Sequence, residues 1–238
     1  MCGRYFSHGV SWEEYRSSLD FQVPPDMPDL RPAYNIAPTQ TAPIFRYEGD
    51  KLVAAPAMWG LVPHWWKKPL SEKRFSTFNA RSEKGASAAS FRTAFKKRHC
   101  LIPASGFYEW KGPKGQKQPY AIGLQNRRWF CFAGLWDRAT IEEHSVDGET
   151  VEERVIDSFT ILTTAPNDMM KDIHNRMPVI LNPGDYKVWL EPENDNGTAL
   201  LKPFPGDLMH AWPVGKAVGN SRNQGRELIA EIDMSSRL

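Results

Sequence analysis

The chain has 238 residues, 41% hydrophobic and 24% charged, with 9 Trp, 7 Tyr and 12 Phe. That composition excludes disordered, collagenous and coiled-coil classes and is enough to bury a core, in one large domain or two small ones. The net charge of +2 conceals strong segregation, about −2 over 1–63, +12 over 64–128 and −8 over 129–238, and a basic middle rich in aromatics fits a nucleic-acid groove, with solvated lysines as the alternative.

The N-terminus, Met1 to Phe6, lacks a basic region followed by an apolar segment, and the longest apolar runs fall short of the ~18 to 20 residues of a membrane span. A cytoplasmic protein with no membrane association is expected. Cys2, Cys100 and Cys131 are an odd number without a Cys-x-x-Cys pair, so reduced thiols and no metal site are expected.

In chain order, Ser11-Trp12-Glu13-Glu14 reads as a capping box opening a helix with Trp12, Tyr15 and Leu19 on one face. Pro24, Pro25, Pro28 and Pro32 interrupt regular structure. Ile44–Tyr47 and Leu52–Trp59 then form a hairpin around Glu48-Gly49-Asp50. Residues 61–78 combine Trp65, Trp66, prolines and cations without periodicity, a long loop with a task other than packing.

Ser90–Lys97 reads as a helix. Strands follow at Cys100–Pro103, Phe107–Trp110, Tyr120–Leu124, Trp129–Trp136 and Phe159–Thr164. The acidic stretch Glu142–Asp157 reads as a solvated excursion between two of them, and Pro183–Leu190 as a helix with proline near its start. With no repeat and no convincing linker, one α+β domain with an antiparallel core is the economical reading.

Cys2 draws attention by its position. Methionine before a small residue is a usual substrate for removal, and the exposed cysteine would carry an amine of pKa about 7.7 to 8.0 beside a thiol of about 8.5, neither needing a large perturbation to react. Such a 1,2-aminothiol condenses with an aldehyde to an imine, which sulfur closes to a thiazolidine. A cysteine that merely follows the initiator is the alternative.

Asn79, Glu109 and His174 sit in settings that packing does not explain. On a strand, Glu109 shares a face with Phe107, and the resulting desolvation pushes a carboxyl pKa toward acid–base use. A salt bridge is the alternative for Glu109, and a surface or core imidazole for His174. Trp65 and Trp66 suit stacking on or wedging between bases, and Arg4, Arg81 and Arg176 suit phosphates. Adjacent tryptophans cannot share one strand face, so at least one should be exposed or cap the core edge. No P-loop, Gly-x-Gly-x-x-Gly, His-Glu-x-x-His or Gly-x-Ser-x-Gly pattern occurs, and no cofactor is expected.

Six segments in order, Met1-Cys2-Gly3-Arg4, Tyr34-Asn35-Ile36-Ala37-Pro38, Trp59-Gly60-Leu61-Val62-Pro63, Asn79-Ala80-Arg81-Ser82-Glu83, Gly106-Phe107-Tyr108-Glu109-Trp110 and His174-Asn175-Arg176-Met177-Pro178, resemble the SOS response-associated peptidase (SRAP) family. Trp212-Pro213-Val214 and Val218-Gly219-Asn220 resemble its ending. The resemblance implies a single domain over residues 2–238, with Met1 removed, a barrel-like and mostly antiparallel β core, peripheral helices and a positive channel for single-stranded DNA.

It further implies an abasic-site sensor in the DNA damage response that links Cys2 covalently to the ring-opened sugar and shields the lesion, with peptidase and lyase activities ranked below crosslinking. Asn79 would hold the sugar or forming ring, Glu109 would orient the amine and shuttle protons, and His174 would assist imine chemistry and reversal. Arg4, Arg81 and Arg176 would grip phosphates. Trp65 and Trp66 would block the 3′ side, with Asn35 and Pro38 lining the channel. The implied protein is a monomer, cytoplasmic and nucleoid-associated on DNA.

Two rivals stand beside this. An N-terminal-cysteine glutamine amidotransferase shares the Met-Cys-Gly start but needs a His-Thr-Arg-Trp-Ala-Thr-like stretch absent here. A noncatalytic reader of single-stranded or modified DNA needs only the basic segment.

Overall fold

The structure is a computed structural model that describes residues 2–25, 27, 29–144, 151–191 and 195–235. Met1, Pro28 and the centre of the acidic stretch, 145–150, lie outside the described residues.

The chain begins with β1 (Tyr5–Ser7) and α1 (Trp12–Arg16). Ser11 caps α1 reciprocally, its hydroxyl accepting from Glu14 N at 3.1 Å while the Glu14 carboxylate accepts from Ser11 N at 2.9 Å. Then come β2 (Ala33–Ile36), β3 (Thr41–Glu48), β4 (Lys51–Trp59), β5 (Asn79–Arg81), α2 (Ser82–Gly85) and α3 (Arg92–Lys97). Next are β6 (His99–Ala104), β7 (Gly106–Lys111), β8 (Gln118–Leu124), β9 (Phe130–His144) and β10 (Val151–Thr164). The chain closes through α4 (Asp168–Lys171), β11 (Met177–Pro178), β12 (Ile180–Leu181), α5 (Tyr186–Leu190) and β13 (Met209–Pro213).

Five strands form a closed ring. β10 pairs with β4, β4 with β3, β3 with β6, β6 with β9, and β9 returns to β10. All of these pairings are antiparallel except β10–β4, and β5 adds a second parallel partner to β10. Closure removes the open edges that an isolated sheet would expose. A second sheet runs β13-β8-β7-β1-β2.

Period-two alternation assigns the two faces of the ring to different neighbours. Cys100, Ile102, Phe132 and Ile161 join Tyr5, Phe107 and Ile122 of the second sheet in one cluster. Leu101, Cys131 and Leu162 join Tyr15 of α1, Ala94 of α3 and Trp189 of α5 in another. The second sheet therefore seals one face while helices cover the other. Among the described residues no helix is long and apolar enough to cross a membrane.

The hairpin and the long loop appear as expected, the loop containing one 3₁₀ turn at Leu70–Glu72. The expected last helix is a 3₁₀ turn, Pro183–Asp185, leading into α5. The acidic stretch requires correction. Its described residues are arms of the paired strands β9 and β10, with Glu152 opposite Glu143 and Glu153 opposite Glu142. Solvent on both faces of the ribbon removes the alternation that betrays a strand, and like charges directly opposite one another disfavour pairing locally.

Candidate functional site

Antiparallel pairing of β1 with β7 sets Tyr5 opposite Phe107, and Tyr108 N donates to Arg4 O at 2.9 Å. The segment before Tyr5 is thereby drawn along Tyr108–Trp110. Cys2 is fully buried in the cluster that holds Tyr5, Trp59 and Phe107. Its Sγ donates to Arg4 O at 3.7 Å.

Two polar side chains converge on it. Asn79 Nδ2 donates to the Cys2 carbonyl at 2.6 Å, and Asn79 is held because β5 pairs with β10, Ile161 opposite Asn79. Glu109 is 3% exposed, two residues after Phe107 and on the same face of β7. Burial first, and the Glu109 carboxylate second, push the Cys2 thiol well above its ordinary value. Both effects favour the neutral S–H of Cys2 over the thiolate.

His174 follows α4, whose N-cap Asn167 accepts from Met170 N at 2.8 Å. Arg176 N donates to His174 Nδ1 at 3.1 Å, and the same ring nitrogen lies 3.2 Å from Arg176 O. Met170 and Met177 on either side of His174 pack in the same cluster as Cys2. Arg176 reaches Glu83 through two nitrogens, at 2.7 and 2.9 Å, and Thr163 O at 2.5 Å. Arg81 is exposed and lies opposite Thr163 in the β5–β10 pair.

Arg4 and Asn35 bind the distant end of the chain. Arg4 donates to Asn35 Oδ1 at 3.0 Å, Val218 O at 2.8 Å and Gly219 O at 3.2 Å. Asn35, fully buried, donates to Val218 O and Asn220 O. Pro38 lines a cleft of about 280 Å³ with Trp59, Lys73, Phe75 and Phe78, adjoining Asn79 through the chain. Larger clefts of about 440 and 470 Å³ are lined by other residues.

Trp65 is 47% exposed, while Trp66 packs beneath it against Val62, Ala139 and Ile141. The structure thus brings Cys2, Asn79 and Glu109 together, sets the chain around His174 on the same core, and places Trp65 on the surface. Among the described residues no group of three or more His, Cys, Asp or Glu could hold a metal ion.

Sequence reasoning passed over Asp137, a buried carboxylate that receives both the backbone N–H and the ring of His64. The signal was available as a lone acid closing the apolar run from Trp129 to Trp136.

The family model described as SOS response associated peptidase (SRAP) matches residues 1–221. The abasic site processing protein YoqW of Bacillus subtilis (strain 168) is 36% identical over 238 residues, covering 96% of this chain and 99% of its own length. The abasic site processing protein YedK of Escherichia coli (strain K12) is 30% identical over 98% of this chain and 100% of its own. A crystal structure of a protein from Bordetella bronchiseptica superposes with a TM-score of 0.73 at 29% identity, over 90% of this chain and 100% of that one.

Proposed function

The chain belongs to the SOS response-associated peptidase family, and from that membership we propose that it processes abasic sites in DNA by capturing the opened sugar on the N-terminal cysteine of its mature form. The substrate is single-stranded DNA, the acting unit a monomeric domain of residues 2–238, and the setting the cytoplasm or nucleoid. The observation that carries the reading is the placement of Cys2: buried, carbonyl held by Asn79, thiol within the field of the Glu109 carboxylate.

The chemistry follows from that placement. Removal of Met1 frees the Cys2 α-amine, whose nitrogen adds to the C1′ aldehyde; the carbinolamine takes a proton on oxygen and loses water, leaving an imine. Sγ then adds to the imine carbon. Because the thiol is neutral, a base must accept its proton as the C–S bond forms, and Glu109 is placed to do so and to return it to nitrogen. The product is a thiazolidine, and one water is the sole by-product.

Asn79 orients Cys2 and then the sugar or ring. His174 assists imine formation and reversal. Arg81 binds phosphate directly, and Arg4 and Arg176 do so by exchanging Gly219 O and Glu83 for it. Trp65 and Trp66 occupy the 3′ side of the lesion with Pro38 lining the channel, while Asn35, fully buried, holds Arg4 and the Val218–Asn220 backbone behind it. Peptidase and lyase activities rank below crosslinking, and the proposal requires only the loss of Met1.

The test is incubation of the mature protein with single-stranded DNA bearing one abasic site. A denaturation-resistant adduct that Cys2→Ala loses supports the reading. Salt-sensitive binding without covalent product would favour a noncatalytic reader, and ammonia release from glutamine would favour an amidotransferase.

A further inference from the structure

Irregular backbone holds a side chain in one place only where something fastens it, and the loop carrying Trp65 is fastened to the β9–β10 ribbon at three points. Val62 N donates to Ser158 Oγ at 2.7 Å, His64 N to Asp137 Oδ2 at 2.9 Å, and Glu142 N to Lys67 O at 2.7 Å. The middle fastening is the most elaborate. Asp137 is 1% exposed, and its Oδ2 also accepts from His64 Nδ1 at 3.1 Å. Its Oδ1 accepts from Arg98 and from Arg138 N.

A carboxylate taken out of water needs such a set of donors to offset its desolvation, and the ionised acceptor assigns the His64 proton to Nδ1. The His64 ring lies between this buried anchor and solvent, immediately before Trp65. Trp65 itself has weak lateral support, a contact of its Nε1 with Ala89 O at 3.4 Å and ring neighbours Trp66 and Phe75 at 6.2 and 6.4 Å. Its direction is therefore set largely by the backbone that enters it.

We propose that His64 and Asp137 form a positioning pair that aims the Trp65 indole at DNA, so that lesion engagement depends on a side-chain bond the indole does not itself make. The inference rests on the reading of this loop as DNA-handling, and the experiment separates the two. Single-turnover adduct formation is followed against concentration of abasic single-stranded DNA for wild type, Trp65→Ala, His64→Ala and His64→Asn. Asparagine places Nδ2 close to where histidine places Nδ1 and so restores the bond to Asp137.

His64→Ala is expected to raise the half-saturating DNA concentration about tenfold, the loss of one bond to a charged acceptor, while the maximal rate changes less than about twofold. His64→Asn returns the half-saturating concentration to within about twofold of wild type, and adding His64→Ala to Trp65→Ala shifts it no further, since coupled residues are not additive. Trp65→Ala at the wild-type value contradicts the reading of the loop. Trp65→Ala shifted while His64→Ala stays at wild type overturns the pairing alone. A shift in His64→Ala that follows a matching loss of melting temperature, unrescued by asparagine, also overturns it.

Discussion

A buried cysteine thiol near a carboxylate is a poor nucleophile until a base takes its proton, and the proposed capture assigns that base to Glu109. Two substitutions separate the steps. Cys2→Ser keeps the amine, so it should form an imine that borohydride traps but no adduct that survives without reduction. A stable unreduced adduct in that variant would contradict the role of sulfur. Glu109→Gln should slow stable-adduct formation by about 10²-fold or more, the usual contribution of a placed base, measured in single turnover at saturating DNA; an unchanged rate would contradict the proton route. At this scale the sequence was legible where a residue's role is local: the position of Cys2, and the alternation that buries Glu109 with Phe107. It was illegible where the partner is remote. Arg4 binds Val218 across 214 positions, and Arg176 binds Glu83 across 93. A guanidinium in a sequence does not disclose whether a phosphate or a distant carbonyl awaits it.

At the scale of elements, strands that bury one face and helices with explicit caps were readable, since period and capping chemistry are written locally. The hairpin of β3 and β4 and the Ser11 cap of α1 are of this kind. The short strands β2, β5, β11, β12 and β13 were not, because pieces of two to five residues carry no period and exist only by pairing with longer partners. The β9–β10 ribbon was half legible: the sequence reading stopped at Trp136 and Phe159, although Ala139, Ile141 and Ile156 still pack with Val62 beyond them, and the alternation is lost at 142–143 and 151–155, which are exposed. Gly134 shows how tightly its inner half is built. A Cβ there would overlap Ile102 Cδ1 and stand 3.0 Å from both Cys100 Sγ and Thr160 O. Gly134→Ala should destabilise the protein by about 1 to 3 kcal/mol, the cost of overpacking a filled core. Chemical denaturation should show this, with Ile102→Ala in the same chain costing less than the sum of the two changes. Additive losses would show that the crowding is not between these two side chains.

At the scale of the whole molecule, burial favours the neutral form of seven weak acids among the described residues. Burial is the largest cause of the upward shift for Cys2, Cys100 and Cys131 and for Tyr5, Tyr15, Tyr108 and Tyr186. The unfolded chain releases these protons between about pH 8.5 and 10 while the folded chain keeps them. Their contribution to stability is therefore complete below that window, begins to be lost within it because the unfolded state then binds fewer protons, and goes on falling until the folded groups themselves titrate. Melting temperature should fall steeply from pH 8.5 upward, and a curve flat to pH 10.5 would contradict the sealed core. The same sealing ties stability to chemistry, since the cluster that keeps Cys100 neutral also contains Cys2.

The central claim, that one residue supplies both nucleophiles, is tested most directly by intact-mass spectrometry of the unreduced adduct between the mature protein and an abasic single strand. The account requires a mass equal to protein without Met1 plus DNA minus one water, absent in Cys2→Ala. The same adduct formed by Cys2→Ala, or by protein still bearing Met1, would contradict it.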